Sequence, residues 1–380
     1  MKFKCSSSLL QKGVNIVEKA VSQKTNLPIM ENIFMELKDH KLKMMGNDLE
    51  LGIEYFISIE NIEQEGAVLL KAKTISSIVS KLDNQLLSLQ VDENKKIIIN
   101  ADKVDFNILG TDVSEYPVFP QVEEGLSFEL EVRDLKELLK YTIFAVSFDE
   151  TKEFLNGILI KNEEDYLYFV STDGYRLSLK RKKITKPATD FSAIVPFRVM
   201  NELYKILQNI DPDAKIKLNI STNQVSFMMD GFLLVSRVIQ GTFPDYKQVL
   251  PKEFDNVITV GRRNFIQAAE RASIIASVSN NVVKLIFSDV LEIKANAPKM
   301  GGFNEEINIT NQNIKGIDNL KVAFNVRLLL DVMKTLEADD VLIEVNDELK
   351  PCVIRSVADE DYTYIIMPIR TSDYKNEDDS

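Results

Sequence analysis

The side chains able to do chemistry are few and poorly spaced for it. His40 is the one histidine, and no serine, cysteine or second histidine gives it a triad or a metal partner. Cys5 and Cys352 stand at opposite ends of the chain in no CxxC pairing, which argues against zinc and against a disulfide framework and leaves buried, inert thiols. Two acidic clusters, Asp149-Glu150 and Asp359-Glu360-Asp361, have the composition of a metal site or of a carboxylate pair for acid–base work. Adjacent acids in loops are more often surface charge. The chain lacks a GxxxxGK[ST] loop, a GxGxxG after a strand, an HExxH and a GxSxG. These residues predict a binding scaffold with no catalytic residue, no metal site and no cofactor.

The elements that would carry binding residues repeat. The stretches Val68–Leu82, Ala193–Leu207 and Val322–Leu336 superimpose without a gap, each an apolar strand end running into an amphipathic helix. Within the helices the apolar residues follow the spacing that lines one face: Ile75, Ile78, Val79, Leu82; Val199, Leu203, Ile206, Leu207; Leu329, Val332, Met333, Leu336. Near the start of each stands a cation, Lys73, Arg198 or Arg327, and near the end Lys81, Lys205 or Lys334. A second helix set follows possible caps at Ser8, Asp134 and Asn264, with runs Leu9–Val21, Leu135–Val146 and Phe265–Ala276. Both sets recur at about 125–130 residues, the size of a whole domain rather than of a solenoid unit. Three copies of one α+β domain are expected.

Charge sorts along the same lines. The chain of 380 residues is acidic overall, at −12, yet the six helical windows sum to +9 and the remainder to −21. An acidic protein is an unusual nucleic-acid binder, whereas basic helices on an acidic body fit one whose binding face is confined. The bland alternative is a Lys-rich solvated face on each helix. No apolar run reaches the roughly 20 residues of a membrane span, and the start of the chain lacks a secretory core, so a cytoplasmic location is expected.

Between the helices, Ile33–Leu37, Lys41–Met45, Leu49–Ile59, Lys95–Asn100 and Phe106–Leu109 read as strands, with His40 in a turn. Pro117, Pro120 and Gly125 mark a linker. The segment from Tyr166 to Lys183 is a hairpin around Asp173-Gly174, and Lys180–Lys183 reads as a solvated strand end. Thr371–Ser380 is polar, acidic and expected to be disordered.

Five motifs then give a specific resemblance: Asn26–Ile33, Phe154–Gly157, Thr172–Leu177, Phe243–Tyr246 with Val249–Pro251, and Tyr364–Arg370. In this order they resemble the beta sliding clamps of bacterial replicative DNA polymerases, over essentially the whole chain. The resemblance implies three tandem clamp domains at 1–121, 122–252 and 253–370, with a tail at 371–380. Each domain would have two helices packed on antiparallel sheets, and two chains would close head to tail into a ring around duplex DNA. It implies a partner-peptide pocket from Leu155, Thr172, Gly174, Tyr175, Arg176, Leu177, Pro244, Val249, Ile365, Met367, Pro368, Ile369 and Arg370. It also implies DNA contacts at Lys24, Lys73, Lys152, Phe154, Arg198 and Arg327, and a dimer contact between Phe106 and Ile274-Ile275 of the other subunit. The expected partners are double-stranded DNA, a second copy of the chain, a replicative polymerase subunit, the clamp loader and repair proteins. Three departures bear on the pocket: Tyr175 replaces a common histidine, Ile369 a common methionine, and the chain continues past Arg370, where the tail could screen the groove. A DNA-independent peptide scaffold and a carboxylate-dependent hydrolase are the alternative readings.

Overall fold

Helices form where the apolar spacing places them. In the computed structural model, which describes residues 1–22, 27–185, 189–251, 253–298, 300–314 and 320–371, they are α1 (Ser7–Val17), α2 (Ala72–Val79), α3 (Val132–Thr142), α4 (Phe197–Leu207), α5 (Arg262–Ala276) and α6 (Val326–Thr335). Starts of the odd-numbered helices lie 125 and 130 residues apart, and those of the even-numbered ones 125 and 129. The apolar residues named for α2, α4 and α6 are all buried, the most accessible being Leu82 at 9%. Full burial of one such side chain contributes about 1.5–3 kcal/mol, so these faces hold the helices to their sheets. The N-termini differ from expectation: α1, α3 and α5 begin before Ser8, Asp134 and Asn264, and neither α1 nor α5 has a side-chain cap.

The chain folds into two compact units, residues Met1–Arg133 with Glu202–Val238, and Asp134–Asn201 with the chain from Ile239 onward. All three cuts, after Arg133, Asn201 and Val238, fall in the second repeat, because its strands continue the sheet of one neighbour and then of the other. In the first unit, Phe232–Arg237 pairs antiparallel with Leu51–Ser58 at the centre of an eight-stranded sheet. In the second, Asp359–Ile366 pairs with Arg176–Lys183 within a twelve-stranded sheet. A five-stranded sheet completes the first unit and ends on the edge strand Val104–Leu109.

The repeat extends to single backbone bonds. Thr111 N–H donates to Leu69, Ile239 to Ile194 and Ile369 to Ala323, at 2.8–2.9 Å, each tying the chain that leaves one copy to the strand that precedes an even-numbered helix. His40 sits in the expected turn, with φ of +60°.

One expectation fails in an informative way. Lys180, read from its basic run as solvated, is 4% exposed. Its Nζ lies 2.6 Å from Asp359 and 2.8 Å from Glu137, and 5.1 Å from the centre of the Tyr141 ring. The alternation of a strand turns residue 180 inward while Lys183 faces water. Lys180→Ala leaves two facing carboxylates without their cation and is expected to cost about 3 kcal/mol, the low end for a broken buried pair because Glu137 is partly solvated. Chemical denaturation should show this as a lower midpoint.

Candidate binding groove and cationic helices

Within the second unit the pairing of Arg176–Lys183 with Asp359–Ile366 sets Leu177 opposite Ile365. Leu177, Ile365, Leu159, Val170, Leu179, Ile194, Tyr246 and Val353 form one buried apolar cluster, with Phe154, Phe243 and Leu250 half-buried against it. Around it stand exposed residues: Tyr175 at 69%, Val249 at 41%, Met367 at 37%, and Pro244 and Arg370. Leu155 is buried, and Pro368 and Ile369 are half-buried. Of the residues named from the sequence, Leu177 and Ile365 thus lie in one buried apolar cluster, into which Phe243, Tyr246 and Leu250, the chain neighbours of Pro244 and Val249, also pack, a composition that suits a floor for hydrophobic side chains.

The rim is held rigidly. Thr172 Oγ1 accepts from the Gly174 N–H at 3.1 Å and donates to the Arg176 carbonyl. Asp173 Oδ1 accepts from the Tyr175 and Arg176 N–H groups at 2.9 and 3.0 Å. Gly174 has φ of +91°, which glycine adopts without strain. The Met367 N–H donates to the Tyr175 carbonyl at 2.9 Å, so the end of the last strand is fastened to this turn. Beneath it the Arg176 guanidinium, 9% exposed, donates to Asp173 at 3.0 Å, to Asp331 of α6 at 2.5 Å and to the Phe144 carbonyl at 2.7 Å. Its Cζ lies 5.5 Å from the Phe144 ring centre.

Behind the groove the phenols stay protonated. Burial pushes Tyr364 and Tyr362 well above the usual range and Tyr246 up to about 12. Tyr364 donates to the Leu328 carbonyl of α6 at 3.0 Å, and the buried Tyr246 hydroxyl has no partner among the described residues. Sequence reasoning missed Asp331, Phe144 and Val353. The only available signal was that a buried arginine needs acceptors, and these lie up to 155 residues away.

The cations named on the helices are exposed: Lys73 on α2, Arg198 on α4 and Arg327 on α6. Among the described residues Lys73 and Arg327 have no ion-pair partner, whereas Lys205 pairs with Glu202 at 2.7 Å and Lys334 with Glu270 at 2.7 Å. Lys152 is exposed in the loop before Phe154. Lys24 lies outside the described residues, as do Asn26 of the first motif and residues 372–380 of the tail. Phe106 is half-buried on an edge strand whose Leu109 is 81% exposed, and on α5 Ile274 is 62% exposed and Ile275 half-buried. The half-strand Gly301–Asn308 pairs with Val290–Ala297, and its other edge has no strand partner among the described residues.

Three of the five acids considered for catalysis are occupied structurally, while Glu150 and Glu360 are exposed. Asp359 pairs with Lys180, Asp361 with Arg181 at 2.8 Å, and Asp149 accepts from the backbone and hydroxyl of Thr151, which lower its carboxyl below the usual range. No group of three or more potential metal ligands occurs among the described residues. Burial raises both thiols, Cys5 to about 12. Among the described residues no helix is long and apolar enough to cross a membrane.

Family models of the DNA polymerase III beta subunit match in three consecutive pieces: the N-terminal domain over residues 1–120, the central domain over 129–245 and the C-terminal domain over 247–370. The chain is 34% identical over 382 residues to the beta sliding clamp of Bacillus subtilis, covering 98% of this chain and all of that protein. It is 30% identical to the beta sliding clamp of Staphylococcus aureus at the same coverage. The crystal structure of the Bacillus subtilis DNA polymerase sliding clamp aligns with a TM-score of 0.91 at 33% identity, over 98% of this chain and 99% of that one. That of the Thermotoga maritima DNA polymerase III beta subunit aligns with a TM-score of 0.91 at 26% identity, over 98% of this chain and all of that one. Three matched domains, in order and nearly end to end, make this chain a member of the DNA polymerase III beta subunit family.

Proposed function

We propose that the chain is a DNA sliding clamp. Two copies close head to tail into a ring, duplex DNA passes through it, and a replicative polymerase subunit, the clamp loader and repair proteins dock in turn through short hydrophobic motifs. Its copies of the clamp domain span 1–121, 122–252 and 253–370. The chain contributes topology rather than catalysis: a closed ring cannot leave DNA by diffusion, so a tethered polymerase stays at high effective concentration.

The observation that carries this reading is the match of all three family domains along one chain, and the apolar cluster around Leu177 and Ile365 supports a peptide site beside it. Exposed cations at equivalent places on α2, α4 and α6 suit phosphates, which hold a duplex without reading its sequence. Lys152 and Phe154 would add contacts from the loop before the groove, and Lys24 one more. Val104–Leu109 and Gly301–Asn308, each with one edge open among the described residues, suit closure between subunits, with Phe106 meeting Ile274 and Ile275, because an open edge is a template for another chain.

The test is retention. Loaded on nicked circular DNA, the protein should co-elute with the circle and be lost when a restriction enzyme linearises it, and its solution mass should be twice 43.2 kDa. A monomeric mass with no retention would defeat the ring. Peptide binding surviving that result would leave a DNA-independent scaffold.

A further inference from the structure

The groove of the second unit has a counterpart in the first, 125 residues earlier, and the counterpart is filled. Asn47 Oδ1 accepts from the Leu49 N–H at 2.9 Å, as Thr172 Oγ1 does from Gly174. Asp48 Oδ1 accepts from the Glu50 and Leu51 N–H groups at 3.1 and 2.8 Å, as Asp173 does from Tyr175 and Arg176. The Arg237 N–H donates to the Glu50 carbonyl at 3.2 Å, as Met367 does to Tyr175. Leu49 holds a φ of +75° where Gly174 has +91°. A left-handed leucine is strained and persists only where its surroundings fix it, so the turn is kept at a cost of about 1–3 kcal/mol.

The floor differs at one position. Where Leu177 faces Ile365, the first unit sets Gly52 opposite Val235. The missing side chain is replaced by the ring of Phe119: a Cβ built on Gly52 would stand 2.8 Å from its Cε2. Phe119 belongs to the segment leaving the first repeat, in which Val113, Tyr116 and Phe119 keep the spacing of Phe243, Tyr246 and Val249. At the second site Val249 is 41% exposed, while Phe119 is half-buried against Met45, Leu69 and Tyr116.

We propose that each chain holds a second groove for short peptides with hydrophobic side chains, between the turn Asn47–Leu51 and the strand Phe232–Arg237, kept closed by Phe119. The side chain of Phe119 is the internal occupant, and its removal opens the site. This rests on the reading of the Leu177–Ile365 groove as a peptide site, so the test separates the two.

The probe is an acetylated pentapeptide carrying leucine and phenylalanine, titrated calorimetrically into the full chain. The parent is expected to bind one peptide per chain, Val249→Asp none, Phe119→Ala two, and Phe119→Ala with Val249→Asp one. No binding by the parent defeats the first groove, whereas equal stoichiometry in the parent and Phe119→Ala defeats the second, whatever the parent binds. Should Phe119→Ala not fold, Phe119→Val serves: it withdraws the ring from Gly52 while leaving an apolar side chain in the segment, and it too must add one peptide per chain. A folded Phe119→Val that adds none overturns the proposal.

Discussion

Replacing Lys73, Arg198 and Arg327 together by glutamine should flatten the salt dependence of duplex binding while leaving the fold intact. On the proposed ring the change removes six cations from two chains. Each phosphate contact adds about 0.9 to the slope of log affinity against log salt, so six of them account for a drop of about 5. Anisotropy titrations of a labelled duplex over a range of salt concentrations would measure it. The thermal midpoint should hardly move, because all three side chains are exposed, and exposed charges contribute about 0–1 kcal/mol. An unaltered slope would remove these helices from the DNA face. The contrast of Lys73 and Arg327 with Lys205 and Lys334 sharpens the test, since Glu202 and Glu270 already neutralise the latter two and their substitution should change the slope less.

The parts of the fold that were legible are those with a one-dimensional signature. Helical faces such as Leu329, Val332, Met333 and Leu336 could be read because burial demands apolar residues at a fixed period, and all four are buried. Helix starts could not, because the expected signal was a side-chain cap and α1 and α5 have none. Asp134, read as a cap, lies in the first turn of α3 and pairs instead with Lys182 at 2.6 Å. A side-chain cap does occur on α6, where none was expected, with Asn325 accepting from the Arg327 N–H at 3.0 Å. Lys180 was misread because a run of like charges hides the alternation of the strand beneath it. The groove lay furthest from local signals: its floor joins Leu177 to Ile365 across 188 positions, a pairing set by sheet register, and the sequence pointed to it only through motif resemblance.

Arg176 is where that long-range pairing is most exposed to a single change. Its guanidinium satisfies Asp173 in its own turn, the Phe144 carbonyl after α3 and Asp331 on α6, so one side chain joins the second repeat to the third beneath the rim of the groove. Arg176→Ala removes all three bonds at once. Breaking a buried pair costs about 3–5 kcal/mol, and the lower figure is expected because Asp331 is 45% exposed and can rehydrate. Arg176→Lys should recover little of it, since a point charge cannot reach three acceptors set around a planar fork. Peptide binding should fall with stability, because the bond from Met367 to Tyr175 fixes the rim only while the turn beneath it is held. Titrating peptide into Arg176→Ala well below its melting temperature tests the coupling: parental affinity in a folded variant would reduce Arg176 to a structural strut. Asp331→Asn is the control. It keeps an acceptor for the guanidinium, and so should retain most of the affinity while losing part of the stability.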